Sequence, residues 1–466
     1  MTRAQLPLQS SFRDPSGFMF TREGELLRQV NPVYAPHYDR LIQSGLYQRL
    51  VDKGWLIPHE ETDLELACSP PAHRVLRPRA VPFISYPYEW CFAQLKEAAL
   101  LTLDILKLAL DQGMIVKDAS AYNVQFLATR PVFIDTLSFE SYAEGQPWQA
   151  YGQFCQHFLA PLLLMAYRDV RLGQLSRVYL DGVPLDVASS LLPRRTLFKL
   201  GALTHVHLHA RSQARFSQAS ATRREGRISR TGLFGIVDNL ESTIRGLRWR
   251  ESGNWQGYYQ DTNYSDQAMQ AKEQLVTQLV AQVSPRPSSV WDLGANTGSF
   301  SRLLARQGLS VVSFDLDPAC VQRGLELARA ESLDVLPLVQ DLANPAPSQG
   351  WAHQERSSLE ERGPAGLLLA LALVHHLRIS CMVPFAGQAE FLARLAPWLL
   401  VEYVGGDDSQ VQRLCQGNLE RYQDYTEEGF QAGFARFYET VAREQIPGTS
   451  RVLYLYKRAD SAGPPR

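Results

Sequence analysis

Between residues 290 and 300 the chain reads Val-Trp-Asp-Leu-Gly-Ala-Asn-Thr-Gly-Ser-Phe. An apolar run ends in an acid, Asp292, then turns through Gly294, Ala295, Asn296, Thr297 and Gly298 into a segment with helical spacing. Glycine opens turns closed to other residues and lets a ligand approach the backbone, and the helix start that follows offers unpaired N–H groups. Dinucleotide-binding folds use such a loop for pyrophosphate. An acid just ahead of the first glycine suits a phosphate poorly and suits a cation well, such as the ammonium of an amino-acid moiety. Further acids close the next apolar runs. The run 309–314 ends at Asp315, placed to accept hydrogen bonds from both hydroxyls of a ribose, with Asp317 as the competing candidate. The run 335–339 leads to Asp341, for which a solvated strand end is the alternative reading. After the following run stand His375 and His376. Either could take a proton from a hydroxyl, since histidine titrates near neutrality; packing is the alternative for both.

The elements around these residues alternate regularly. A helical approach over 265–283 leads to a strand at 290–293, a helix at 299–307, a strand at 310–315, a helix at 318–330 and a strand at 335–339. A strand at 367–373, a helix at 386–396 and a strand at 398–403 follow. This βαβ rhythm predicts a mainly parallel, doubly wound α/β sheet. Residues 431–443 and 451–457 are expected to add a helix and an edge strand.

The 292–298 loop resembles motif I of class I S-adenosylmethionine (SAM)-dependent methyltransferases, in which an acid precedes GxGxG. With Asn296 in place of the middle glycine it is similar to the version in FkbM-type small-molecule O-methyltransferases. The resemblance implies a Rossmann-like methyltransferase domain over 285–460 with SAM as cofactor. It implies Asp292, Gly294, Asn296, Gly298, Asp315 and Asp341 as cofactor contacts, Asp341 at the adenine amino group. His375 or His376 would be the catalytic base, and no metal is expected in this domain. The acid that relatives carry near the start of the fourth strand is absent; Gly366 and Leu367 stand there. Upstream, Trp255, Tyr258, Tyr259 and Tyr264 cluster. Such aromatics, Tyr264 above all, cover the cofactor in this superfamily, and a packing patch explains them equally. Glu402, Asp407 and Asp408 read as substrate contacts or as a solvated loop.

The N-terminal part carries a second pattern. Asp118, Asn123, a short apolar strand, a turn and another apolar strand before Asp135 resemble the catalytic loop and metal-binding acid of protein kinase-like and aminoglycoside-phosphotransferase-like folds. There the first acid positions the acceptor hydroxyl, and the Asn and second acid hold Mg²⁺. The resemblance implies an α+β kinase-like domain over 1–210, with Asp118 as base and Asn123 and Asp135 on the metal if it is active. Val116 stands where such folds carry His, and residues 14–24 read as a β-hairpin in place of a glycine-rich phosphate loop. The two patterns together, with KDASAYNVQF, PVFIDTLSFE and LALVHHL, resemble nodulation host-range-type proteins, which implies a small-molecule or glycan acceptor.

Between the two parts, 211–232 is rich in arginine and small polar residues and reads as a basic linker; 233–284 reads as a helical lead-in to the methyltransferase. The segment 88–113 reads as a buried helix stopped at Gly113. His205, His207 and His209 alternate, as on one face of a strand, where a polar face outweighs a metal site. A net charge of −1 over 466 residues gives no broad field for nucleic acid. Six scattered cysteines without a CxxC pair point to neither zinc nor a disulfide framework. Apolar runs fall short of the roughly 20 residues of a membrane helix, so a cytoplasmic protein is expected. Two other functions fit the same residues: an ATP-dependent phosphotransferase with an appended SAM domain, and a non-catalytic SAM-binding interaction protein.

Overall fold

A computed structural model describes residues 7–212, 227–249 and 265–459. The chain divides into two compact units, Met1–Arg250 with Gln349–Arg356, and Glu251–Ser348 with Ser357–Arg466. No helix among the described residues is long and apolar enough to cross a membrane.

In the first unit, β1 (Gly17–Arg22) and β2 (Glu25–Val30) form the hairpin expected near residues 14–24. With β3 (His59–Thr62) and β4 (Arg74–Pro78) they make an antiparallel sheet of order β1-β2-β4-β3. Helix α1 (Phe92–Asp111) is apolar on nearly every side and largely buried, and the chain leaves it through Gly113 at φ +69°. Two small ribbons follow. β5 (Met114–Val116) pairs with β8 (Phe139–Ser141), and β6 (Val124–Leu127) pairs with β7 (Arg130–Phe133). They hold the segments carrying Asp118, Asn123 and Asp135.

Helix α2 (Arg230–Gly246), within the stretch read as a lead-in, falls in this first unit. Its Leu233, Val237, Leu240 and Ile244 form one buried stripe, and Lys107 of α1 pairs with its Asp238 (2.6 Å) and Glu241. Most of the basic linker lies outside the described residues. The alternating histidines are also corrected: Leu203–Leu208 is π-helical, not a strand. His205 bonds Tyr151 (2.6 Å) and Asn239 (2.7 Å), while His207 bonds Ser189 (2.7 Å) and Thr196 (2.9 Å). Both rings are buried and satisfied within the core.

The second unit begins with α3 (Asp266–Val280). Its sheet contains β9 (Val290–Leu293), β10 (Val311–Asp315), β11 (Val335–Val339), β12 (Leu367–Ala370), β13 (Trp398–Val404), β14 (Tyr438–Gln445) and β15 (Arg451–Arg458). The order is β11-β10-β9-β12-β13-β15-β14; the first five strands are parallel, and β15 and β14 are antiparallel additions. Strands β9, β11 and β13 are buried along their whole length, as a sheet covered on both faces requires. Helices α4 (Ser299–Ala305), α5 (Pro318–Ala330), α6 (Val374–Ile379) and α7 (Phe385–Leu395) cross between strands.

Three expectations for this unit are revised. Strand β12 stops at Ala370, not 373, and the chain turns through Ala372 at φ +49° into α6, so both histidines sit on a helix. Residues 431–443 are not one helix: α9 (Glu427–Phe434), preceded by α8 (Ser409–Leu414), gives way to β14, which is exposed along nearly its whole length after Tyr438, as suits an edge. The Val-Leu-Tyr-Leu-Tyr run of β15 is buried throughout, and it therefore lies inside, between β13 and β14.

Candidate functional site

The sheet order reverses at β9 and β12, which lie side by side while their successors run to opposite edges. Doubly wound sheets open a crevice at that point, beyond the C-terminal strand ends. Here the two loops meet: a Cβ added to Gly294 would lie 3.0 Å from Leu373.

The loop after β9 is held by its own bonds. Gly294 and Ala295 N–H both donate to Phe314 O (2.9 Å each), and Gly298 N–H donates to Ala295 O (2.8 Å). Asn296 N–H donates to Asp315 Oδ2 (2.7 Å), and Thr297 N–H donates to the Asn296 side chain (2.7 Å). Gly294, Asn296 and Gly298 have φ of +71°, +53° and +74°. Asparagine is one of the few residues other than glycine that tolerates this region, which is how Asn296 replaces a glycine. All five amides from Gly294 to Gly298 are thus committed within the protein.

Around the loop stand the acids. Asp292, 3% exposed at the end of β9, accepts a bond from Ser301 Oγ (2.5 Å), and burial pushes its pKa up to about 6. Burial does the same to Asp315, up to about 6, against the bonds it accepts from Asp317 N–H (2.9 Å) and Asn296 N–H. Asp317 caps α5 by accepting from Ala319 N–H (2.8 Å). Asp341, past the end of β11, accepts from Ala343 N–H (2.8 Å). Tyr264, with Trp255, Tyr258 and Tyr259, lies outside the described residues.

The two histidines differ. His375 is 2% exposed, its Nδ1 has no hydrogen-bond partner among the described residues, and burial followed by His376 and Arg451 hold its pKa well below the ordinary value. His376, with its ring centroid 4.3 Å away, is only half-buried; burial, Arg413 and Arg451 lower its pKa.

In the first unit the second pattern is also assembled. Asp118 accepts from Ser120 N–H (3.0 Å) and Gln153 Nε2 (2.8 Å), and the Asn123 amide nitrogen donates to Ser138 Oγ (3.2 Å). Asp135 accepts from Leu137 N–H (3.0 Å) and Ser138 Oγ (2.5 Å) and pairs with Arg28 (2.5 Å). Among the described residues no group of three His, Cys, Asp or Glu side chains is disposed to hold a metal ion.

No family model matches the chain. It is 36% identical over 461 residues to nodulation protein NoeA of Rhizobium meliloti (strain 1021), covering 97% of this chain and 96% of that protein. The chain belongs to the NoeA family. Among solved structures, the magnesium protoporphyrin IX methyltransferase ChlM of Synechocystis PCC 6803 with bound SAH matches 44% of this chain and 93% of its own at 16% identity and a TM-score of 0.31. The bifunctional kinase-methyltransferase WbdD matches 44% of this chain and 41% of its own, less than half its length, at 17% identity and a TM-score of 0.30. Likenesses this remote assign no chemistry.

Beneath the crevice, this NoeA-family chain carries a buried charge network that the motifs did not reveal. Lys272 of α3 pairs with Glu402 (2.5 Å), and its ammonium lies 4.8 Å from the centre of the Phe300 ring. Arg451 joins Glu402 (3.2 Å) to Asp408 (2.8 Å). Glu402 is therefore not a substrate contact: it is fully buried between cations. Asp408 caps α8 by accepting from Gln410 N–H (2.8 Å), and Asp407 is exposed. The signal for Lys272 was present, since it shares the buried stripe of α3 with Ala268, Val276 and Leu279, a place where lysine is rare unless paired.

Proposed function

We propose that the second unit binds SAM and transfers its methyl group to a hydroxyl of a small-molecule or glycan acceptor. The observation that carries this reading is the commitment of every amide in the 294–298 loop. A pyrophosphate needs such amides free. What the loop leaves beside the crevice is carboxylate, Asp292 and Asp315, both raised to about 6 by burial. Strongly raised acids in a cleft mark a site that gains from a cation or a donor.

The residues present fit SAM. Asp292 receives the ammonium and Ser301 fixes the carboxylate's orientation; Asp315 accepts from the ribose hydroxyls; Asp341 faces the adenine amino group. Tyr264, outside the described residues, is assigned to cover the cofactor. Bound SAM supplies an electrophilic methyl carbon on a sulfonium. The protein's tasks are to align the acceptor oxygen and to take its proton. His376 is the better base of the two, because it is the more exposed ring. The test uses methyl-labelled SAM with the full chain and small-molecule and glycan extracts, followed by mass spectrometry. Label in a methyl ether, lost in His376→Gln while SAM binding persists, is expected; label in no extract contradicts transfer.

A second reading has one observation behind it: both histidines are held below the ordinary pKa, which weakens them as bases. A non-catalytic SAM-binding interaction protein would bind SAM and label no acceptor.

A further inference from the structure

The Asp118, Asn123 and Asp135 arrangement of the first unit resembles a phosphotransfer site, and such a site works through Mg²⁺. Magnesium demands open, near-octahedral oxygen ligands at about 2.0–2.1 Å. The residues present do not fit that demand. Both Asp135 oxygens are in use: Oδ1 meets Arg28 at 2.5 Å and Leu137 N–H at 3.0 Å, and Oδ2 accepts from Ser138 Oγ at 2.5 Å. Asn123 turns its amide nitrogen toward Ser138 Oγ and Asp118 O, and nitrogen donors repel a metal ion. Asp118 is tied to Gln153 and to Ser120 N–H.

The positive charge that two neighbouring carboxylates require is nevertheless present. Arg28 and Asp135 are largely shielded, with side chains 12% and 14% exposed. Arg28 stands on β2, within the hairpin, so the pair closes the small sheet onto the 135–138 turn. Lys117, next to Asp118 in the chain, adds a second bolt to the same hairpin region through Ser16 (2.6 Å) and Asp14 (3.4 Å).

We propose that the Arg28 guanidinium is the resident cation of this cluster, standing where a divalent metal would be needed, and that the first unit binds no catalytic Mg²⁺ and transfers no phosphoryl group. A guanidinium meets a carboxylate in a fixed planar geometry and keeps its charge at every accessible pH, so the compensation is permanent. The unit then works as a binding or presenting module whose polar core is closed by the protein itself.

Manganese(II), which takes the same oxygen ligands as Mg²⁺ and is visible by electron paramagnetic resonance, tests this on the full chain. Wild type is expected to bind no Mn²⁺ at millimolar concentration and to melt at the same temperature with or without it. Arg28→Met exposes the acid pair and should tighten Mn²⁺ binding at least tenfold, with a matching metal-dependent rise in Tm. Arg28→Lys keeps the charge and should show neither. Stoichiometric Mn²⁺ binding by wild type that Asp135→Asn abolishes would overturn the proposal, as would a folded Arg28→Met indifferent to Mn²⁺. If Arg28→Met does not fold, Arg28→Met/Asp135→Asn decides the matter. Recovered folding shows that the guanidinium served to neutralise Asp135, and failure to recover contradicts it.

Discussion

Asp135 of the first unit and Asp292 and Asp315 of the second all lie near the ends of short strands, and the protein treats them in opposite ways. In the first, burial pushes the Asp135 carboxyl up, but Arg28, Ser138 and the Leu137 N–H outweigh it and leave the pKa below its ordinary value. In the second, burial wins: Ser301 and the nearby Lys272 do not restore Asp292, nor do backbone amides restore Asp315, and both remain near 6. An acid already compensated by the protein contributes stability. An acid left raised in a crevice costs stability and is a candidate for ligand binding. The contrast holds for Asp135 against Asp292 and Asp315; Asp118 of the first unit is itself raised, by burial and by the neighbouring Asp135.

The largest effect expected from breaking it concerns the network under the crevice. Lys272→Met removes a partner from fully buried Glu402 and should cost about 3–5 kcal/mol in urea unfolding. Lys272→Met/Glu402→Gln should recover part of that, and a cost below about 1 kcal/mol for the single variant would show that the pair is not coupled. Next, the same substitution made in both units should change stability in opposite directions. Asp135→Asn should destabilise by about 2–3 kcal/mol, whereas Asp292→Asn should stabilise the ligand-free protein at pH 7.5 by about 1–3 kcal/mol. Equal signs would remove the distinction.

The pH dependence follows from the same shifts. Asp292 and Asp315 titrate near 6 in the fold and near about 3.9 unfolded, so the native state holds these protons more tightly across that window. Their contribution to stability therefore falls as pH rises from about 4 to about 6. Asp135, with a lowered pKa, contributes stability above the unfolded value that is lost as pH falls through the folded one. Melting curves of Asp292→Asn against wild type should diverge on going up from pH 4 and run parallel above about pH 7. The smallest effect belongs to Asn296→Gly. Relief at φ +53° and loss of the bond to Thr297 N–H should offset to within about 1 kcal/mol.

Much of the second unit was legible because its strands are continuous apolar runs closed by Asp292 and Asp315, and its helices carry caps such as Asp317. The C-terminal hairpin was harder: Glu427–Phe434 and Tyr438–Gln445 join with no proline to mark the end of the helix, and the exposed strand lacks the apolar alternation that would announce it. The short helix carrying His375 and His376 was hidden because the apolar run 366–374 continues past the strand's end at Ala370. Lys272, Arg451 and Arg28 could not be read from motifs, since each acquires its role from an acid distant in sequence. The π-helical histidines misled through an alternation that mimics a strand.

The central claim is that a loop with every amide committed and an acid raised beside it takes a cationic amino-acid cofactor in place of a dinucleotide. Calorimetric titration of the full chain with SAM and with NAD, wild type against Asp292→Asn, tests it most directly. Wild type should bind SAM and not NAD, with SAM affinity falling roughly tenfold or more in Asp292→Asn. Binding of NAD, or SAM affinity unchanged in Asp292→Asn, would contradict it.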